Sequence, residues 1–136
     1  MELPERVPGL KLATILVAAY AVVWIALEGN LVRVMVLGFA TAGLLLGSAF
    51  QRWVAGRRLA PVAWLALCAA LGAILGFTGG MFTLLFMAVK TGLHAHGPEF
   101  SQAQISWLLG QLPWWTSAGL LAGLGLGVIF VVARQE

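Results

Sequence analysis

The side chains able to coordinate, titrate or pair gather in one short stretch: Lys90, Thr91, His94, His96 and Glu99. Neutral imidazole and carboxylate are good zinc ligands, and zinc takes four. His94 and His96 are two apart, which does not put both rings on one face of a helix, and no fourth ligand is evident. The plainer reading is an interfacial loop whose polar groups bond headgroups, water or a partner. A lone histidine at the end of a span can also ligate a haem or chlorin ring, but the residues name no cofactor.

His94 is also a candidate proton-titrating group, since unperturbed histidine titrates near pH 6.5. A proton path needs ionisable groups deep in the membrane. Here every Lys, Arg, Asp and Glu lies near the end of an apolar run. The expectation is that no ionisable side chain is buried, which argues against a proton pump or a charge-coupled carrier. Ser101, Ser106 and Ser117 carry no nucleophile motif, and a serine nucleophile requires a base within reach. The sequence therefore reads as non-enzymatic.

Those residues must be positioned by apolar helices. Of the 136 residues, 61% are hydrophobic and 10% charged, whereas a soluble domain is about half apolar and a quarter charged. A helix of roughly 20 apolar residues crosses the hydrocarbon core, and the chain offers four such runs, at about 10–27, 31–50, 62–89 and 114–133. The fold expected is all-α: a single transmembrane domain of four spans in two antiparallel hairpins. The net charge of +3 sits at the ends of the runs, without the clustered basic face that nucleic acid requires. The single cysteine, Cys68, lies inside an apolar run and reads as a small buried residue.

Arg6 and Lys11 precede the first run, and Ala19-Tyr20-Ala21 has the look of a signal-peptide cleavage site. Apolar sequence continues past it to Leu27, so a retained first span is expected. Tyr20 and Trp24 share a face, with Trp24 near the far interface. Glu28-Gly29-Asn30 is a turn signal, and Glu28 is expected to pair with Arg33. The loop 51–60 holds Arg52, Arg57 and Arg58. Six basic residues (Arg6, Lys11, Arg52, Arg57, Arg58, Arg134) fall on one side and two (Arg33, Lys90) on the other. The positive-inside bias then puts both termini in the cytoplasm, in the cell membrane.

Span 3 opens after Pro61, which suits a first helical turn. From Val62 to Val89 it would be about 42 Å long at 1.5 Å per residue, against a core of about 30 Å. It must tilt, project outward or break at Gly79-Gly80. Ser101 and Gln104 form a capping-box pattern opening a short helix, 101–112, expected to lie in the external interface before Pro113 breaks or bends the chain.

Gly72, Gly76 and Gly80 are spaced by four, as are Gly119, Gly123 and Gly127; Gly43 and Gly47 make a further pair. Helices in lipid associate by close packing, which small residues permit. The stripes serve packing inside the bundle or contact with a partner chain. On a regular helix, Gly72, Gly76, Gly79, Gly80, Thr83, Met87, Lys90 and His94 share one small, weakly polar face. The segment Gly76–Thr83 (GFTGGMFT) resembles the third helix of small fluoride channels. The asparagine expected in their second span and their glycine-rich arginine motif near the start are missing, and the chain is not assigned to that family.

The function expected is that of a non-catalytic accessory subunit, packing on a larger membrane complex through its glycine faces and the external 90–112 segment. Its partners would be membrane lipid and other membrane subunits. The alternative is an oligomeric channel for a small ion or solute, with Thr83, Lys90 and His94 lining the path.

Overall fold

The computed structural model describes residues 5–93, 97 and 99–133. They form four α-helices, α1 (Leu10–Ala26), α2 (Leu31–Trp53), α3 (Pro61–Leu93) and α4 (Gln102–Val132), with no β-strand among the described residues. α2, α3 and α4, at 23, 33 and 31 residues, are each long and apolar enough to cross a membrane; α1 is apolar but shorter, at 17 residues. These three helices mark a multi-pass membrane protein.

Local chemistry explains where the helices start. Asn30 caps α2, its side chain accepting from the Arg33 N–H at 3.2 Å. Pro61 opens α3, where its missing N–H costs nothing. At α4 the capping box is complete: the Ser101 hydroxyl accepts from the Gln104 N–H at 3.2 Å, and the Gln104 side chain accepts from the Ser101 N–H at 2.8 Å.

Helix packing is set by glycine. α3 and α4 meet with their numbering running in opposite directions: Cys68 lies against Gly123, Gly72 against Gly119 and Gly76 against Trp115. A methyl group on Gly72 would sit 2.8 Å from the Gly119 carbonyl carbon, and one on Gly123 would sit 2.9 Å from that of Cys68. Both are closer than side-chain carbons come, so the two backbones touch. α2 approaches another side of α3 in the same way. A methyl on Gly38 would lie 2.7 Å from the Thr83 amide nitrogen, and the Phe39 ring covers Gly79.

The exterior is unlike that of a water-soluble bundle. α3 buries Gly76, Gly79, Gly80, Thr83, Met87 and Lys90, while large apolar side chains such as Val22, Val62, Trp114 and Leu121 stand mostly exposed. In water such a surface would associate; in hydrocarbon it matches its surroundings. The apolar core of Trp24, Val34, Leu37, Met87, Phe100 and Leu108 lies toward the end where α1 and α3 finish and α2 and α4 begin.

Two expectations are corrected, and one of the three alternatives for α3 is closed. α3 does not break at Gly79-Gly80, because that pair is packed under Phe39, Leu112 and Trp115. Pro113 does not end a helix either: 101–112 is not a separate interfacial helix but the cap and first turns of α4, with Leu108 fully buried. Pro113 removes the donor that would reach Leu109 O; elsewhere in the same turns the Thr116 hydroxyl donates to Leu112 O at 2.7 Å and that of Ser117 to Pro113 O at 2.9 Å. Trp24, in the last turn of α1, packs in the core at 2% exposure. Glu28 and Arg33 are both exposed and form no ion pair; the Arg33 carbonyl instead accepts from the Tyr20 hydroxyl at 3.2 Å.

Candidate functional site: a buried lysine at the closed end

Lys90 lies one turn before the end of α3 and is 1% exposed, which overturns the expectation that no ionisable group is buried. Its position near a helix end is as the sequence has it. What the sequence does not show is that the ends of α1 and α4 close around it. The ammonium donates to the Trp24 carbonyl at 3.0 Å and to the Leu27 carbonyl. It stands 4.8 Å from the centre of the Trp24 ring and 3.6 Å from Glu99 Oε2.

Each contact has a physical cause. The last carbonyls of a helix lack intrahelical donors and carry the negative end of its dipole, so a cation at the C-terminus of α1 is favoured. The ring face of Trp24 adds the attraction of an aromatic quadrupole for a cation. Glu99 supplies the counter-charge and is held by its neighbours. Phe100, 4% exposed, anchors the chain in the core, and Gly29 leaves room on the other side, where a methyl would come within 2.6 Å of Glu99 Oε2. One loose end remains: the Trp24 Nε1 donor is buried without a hydrogen-bond partner.

Lys90 and Glu99 are thus brought together. His94 and His96 lie outside the described residues. Among the described residues, no three His, Cys, Asp or Glu side chains converge. Thr83 is fully buried and donates to Gly79 O at 2.8 Å, within its own helix. The small face from Gly76 to Lys90 is therefore filled by the chain's own helices.

The glycines divide into two groups. Gly72, Gly76 and Gly80 on α3 face Gly119, Trp115 and Leu112 on α4; Gly123 and Gly127 meet Cys68. Gly43 and Gly47 on α2 are different. A methyl on Gly43 would find only the Leu75 side chain, at 4.0 Å, and one on Gly47 only that of Leu10, at 3.2 Å. Both line an apolar groove of about 780 Å³ between α2, α3 and α4. Sequence reasoning missed Trp24 and Gly29 as partners of the Lys90 cluster. It also missed Gly38 as the α2 contact with α3, although its place in an apolar span was a signal.

The chain matches no protein-family model, no curated protein and no solved structure.

Proposed function

We propose that this chain is a small non-catalytic integral membrane subunit that packs on and stabilises a larger membrane complex. The observation that carries the proposal is the division of its surfaces. The small polar face of α3 is closed by Thr83, Met87 and Lys90, at 0%, 2% and 1% exposure, and Lys90 is spent on helix carbonyls and Glu99. What remains to offer a partner within the membrane is lateral and apolar: long outer faces on α3 and α4. The described residues of the glycine faces on α3 and α4 are engaged within the chain, so partner contact falls to these larger side chains.

In this reading all four helices span the cytoplasmic membrane as two antiparallel hairpins, with both termini in the cytoplasm. α1, about 25 Å long at 1.5 Å per residue, fits as a short span because Lys11 and Glu28 flank it and can reach the headgroups. The channel alternative is the weaker reading, because Thr83 and Lys90, two of the residues that would line its path, are buried inside the bundle.

Purification from the native membrane in mild detergent, with the mass of the particle measured, tests the proposal. A particle containing other membrane subunits is expected. Recovery of a lone monomer under conditions that preserve known complexes would refute it.

A further inference from the structure

The groove is walled by Gly43 and Phe50 of α2, Trp64 and Leu75 of α3, and Ala122 and Phe130 of α4, and every residue that lines it is apolar or weakly polar. The Phe39–Trp115 ring pair, with centroids 5.3 Å apart, bridges α2 and α4 at the end towards Lys90. Val7 and Pro8 lie at the opposite end.

That opposite end is basic. The Val7 N–H donates to the Gln51 side chain at 3.0 Å, and Glu5 Cγ lies 4.0 Å from where a Cβ on Gly56 would be. Residues 5–8 are therefore held against the end of α2 and the turn after it. Arg6, Arg52 and Arg57, all exposed, are the chain neighbours of these contacts, and Glu5 is the acidic residue of the same segment.

We propose that the groove seats an acyl chain of an anionic phospholipid whose headgroup lies on the Arg6, Arg52 and Arg57 cluster. The combination of an apolar groove with exposed arginines on the segments at its Val7 and Pro8 end matches an acyl chain joined to an anionic headgroup. At about 780 Å³ the groove falls within the roughly 300–1,000 Å³ of sites that enclose a small ligand. Charge decides the lipid class. An acyl chain gains no hydrophobic free energy by leaving its neighbours in the bilayer, so selectivity comes from the headgroup. Each arginine near the surface favours an anionic lipid by about fivefold, and Glu5 offsets one of the three. The inference requires that α2, α3 and α4 lie in a bilayer. It does not require a partner subunit, so it stands or falls separately from the accessory role.

The test is native mass spectrometry of the full chain after reconstitution with equimolar phosphatidylglycerol and phosphatidylcholine. One phosphatidylglycerol should be retained per chain, in about 25-fold excess over phosphatidylcholine, as two uncompensated arginines imply. Arg52→Gln with Arg57→Gln should reduce the excess to a few-fold or less. Gly43→Phe, and separately Ala122→Phe, should abolish retention in protein that keeps its helicity. Equal retention of the two lipids would overturn the proposal. So would retention that survives both groove fillings, which would mean adsorption to the arginines alone, or a polypeptide found cross-linked into the groove. Should both groove variants fail to fold, an excess unchanged in the arginine double variant is enough to overturn it.

Discussion

Replacing Lys90 by methionine removes the ammonium while keeping much of the side-chain volume, so the change is electrostatic rather than a cavity. Removing one partner of a buried pair costs about 3–5 kcal/mol. Two features pull the value down. The Glu99 side chain is 19% exposed, so water partly solvates it once the lysine is gone. The Trp24 carbonyl keeps a second donor, the Leu27 N–H at 3.2 Å. The expected loss is about 3 kcal/mol, which for a chain of this length lowers the melting temperature by on the order of 10 °C. Thermal unfolding of the detergent-solubilised protein, followed by circular dichroism, reads it.

Four controls give the prediction its edge. Glu99→Gln should cost about 1 kcal/mol, because the two carbonyls still hold the ammonium. Losses in the double variant should sum to less than those of the two single variants, since the partners act as one unit. Lys90→Arg should not restore stability, because a planar guanidinium does not fit a site shaped around a compact ammonium. High salt should leave the Lys90 effect unchanged, as a buried cluster is poorly screened. A Lys90→Met variant melting within about 2 °C of the parent, or a Glu99→Gln variant as damaged as Lys90→Met, would refute the idea that this lysine clamps the ends of α1, α3 and α4.

The remaining expectations are these. Gly72→Leu or Gly119→Leu should prevent folding, with a cost above about 3 kcal/mol from backbone overlap, whereas Gly125→Leu should cost little because nothing lies within 4 Å of its would-be Cβ; yields of folded protein and melting curves compare them. Pro113→Ala should raise stability, by up to about 3 kcal/mol, since the helix already runs unbroken through Pro113; an unchanged or lower melting temperature would show that the proline relieves a packing conflict. Liposomes holding this protein alone should show no anion flux above empty vesicles, and Lys90→Ala should change nothing; flux lost in that variant would revive the channel reading.

Helix identity and many helix ends were legible because they depend on neighbours in sequence. Apolar runs marked the helices, Pro61 marked the start of α3, and Ser101 with Gln104 marked that of α4. Failures came where distant residues compete with local rules. Pro113 looks like a break, yet Leu108 on one side of it is fully buried and Trp115 on the other, half-buried, packs edge-on against Phe39 of α2, and that packing outweighs one lost backbone bond. Lys90 looks like an exposed span end because its partners, Trp24 and Leu27, lie more than sixty residues away. Nothing in local composition reports that α1 will end beside it. The glycine stripes were legible as packing surface, but which helix each would meet depended on register: Gly72 and Gly76 turn to α4, Gly79 to α2.

That register also explains why one end of the bundle is closed and the other open. α4 stays on α3 along most of its length, because small residues recur at the contact from Gly80 through Gly76 and Gly72 to Cys68, opposite Gly119, Gly123 and Gly127. α2 has one such point, Gly38 against Gly79 and Thr83. Towards its C-terminus the contact passes to bulkier groups, until Phe50 meets Trp64 with ring centroids 6.4 Å apart. A helix drawn to backbone contact at one end and propped on aromatic rings at the other must diverge from its neighbour. Trp64 also packs on Phe130 of α4 at 5.0 Å, so the same ring stands between α2 and α4 where they separate. The groove is therefore framed by the Gly38 contact at one end and Phe50 on Trp64 at the other, with Gly43 and Gly47 leaving the α2 wall unfilled between them. Trp64→Ala should let Phe50 and Phe130 approach and shrink the space. If the groove instead widened, the divergence of α2 would have to originate elsewhere, in the turn held by Val7 and Gln51.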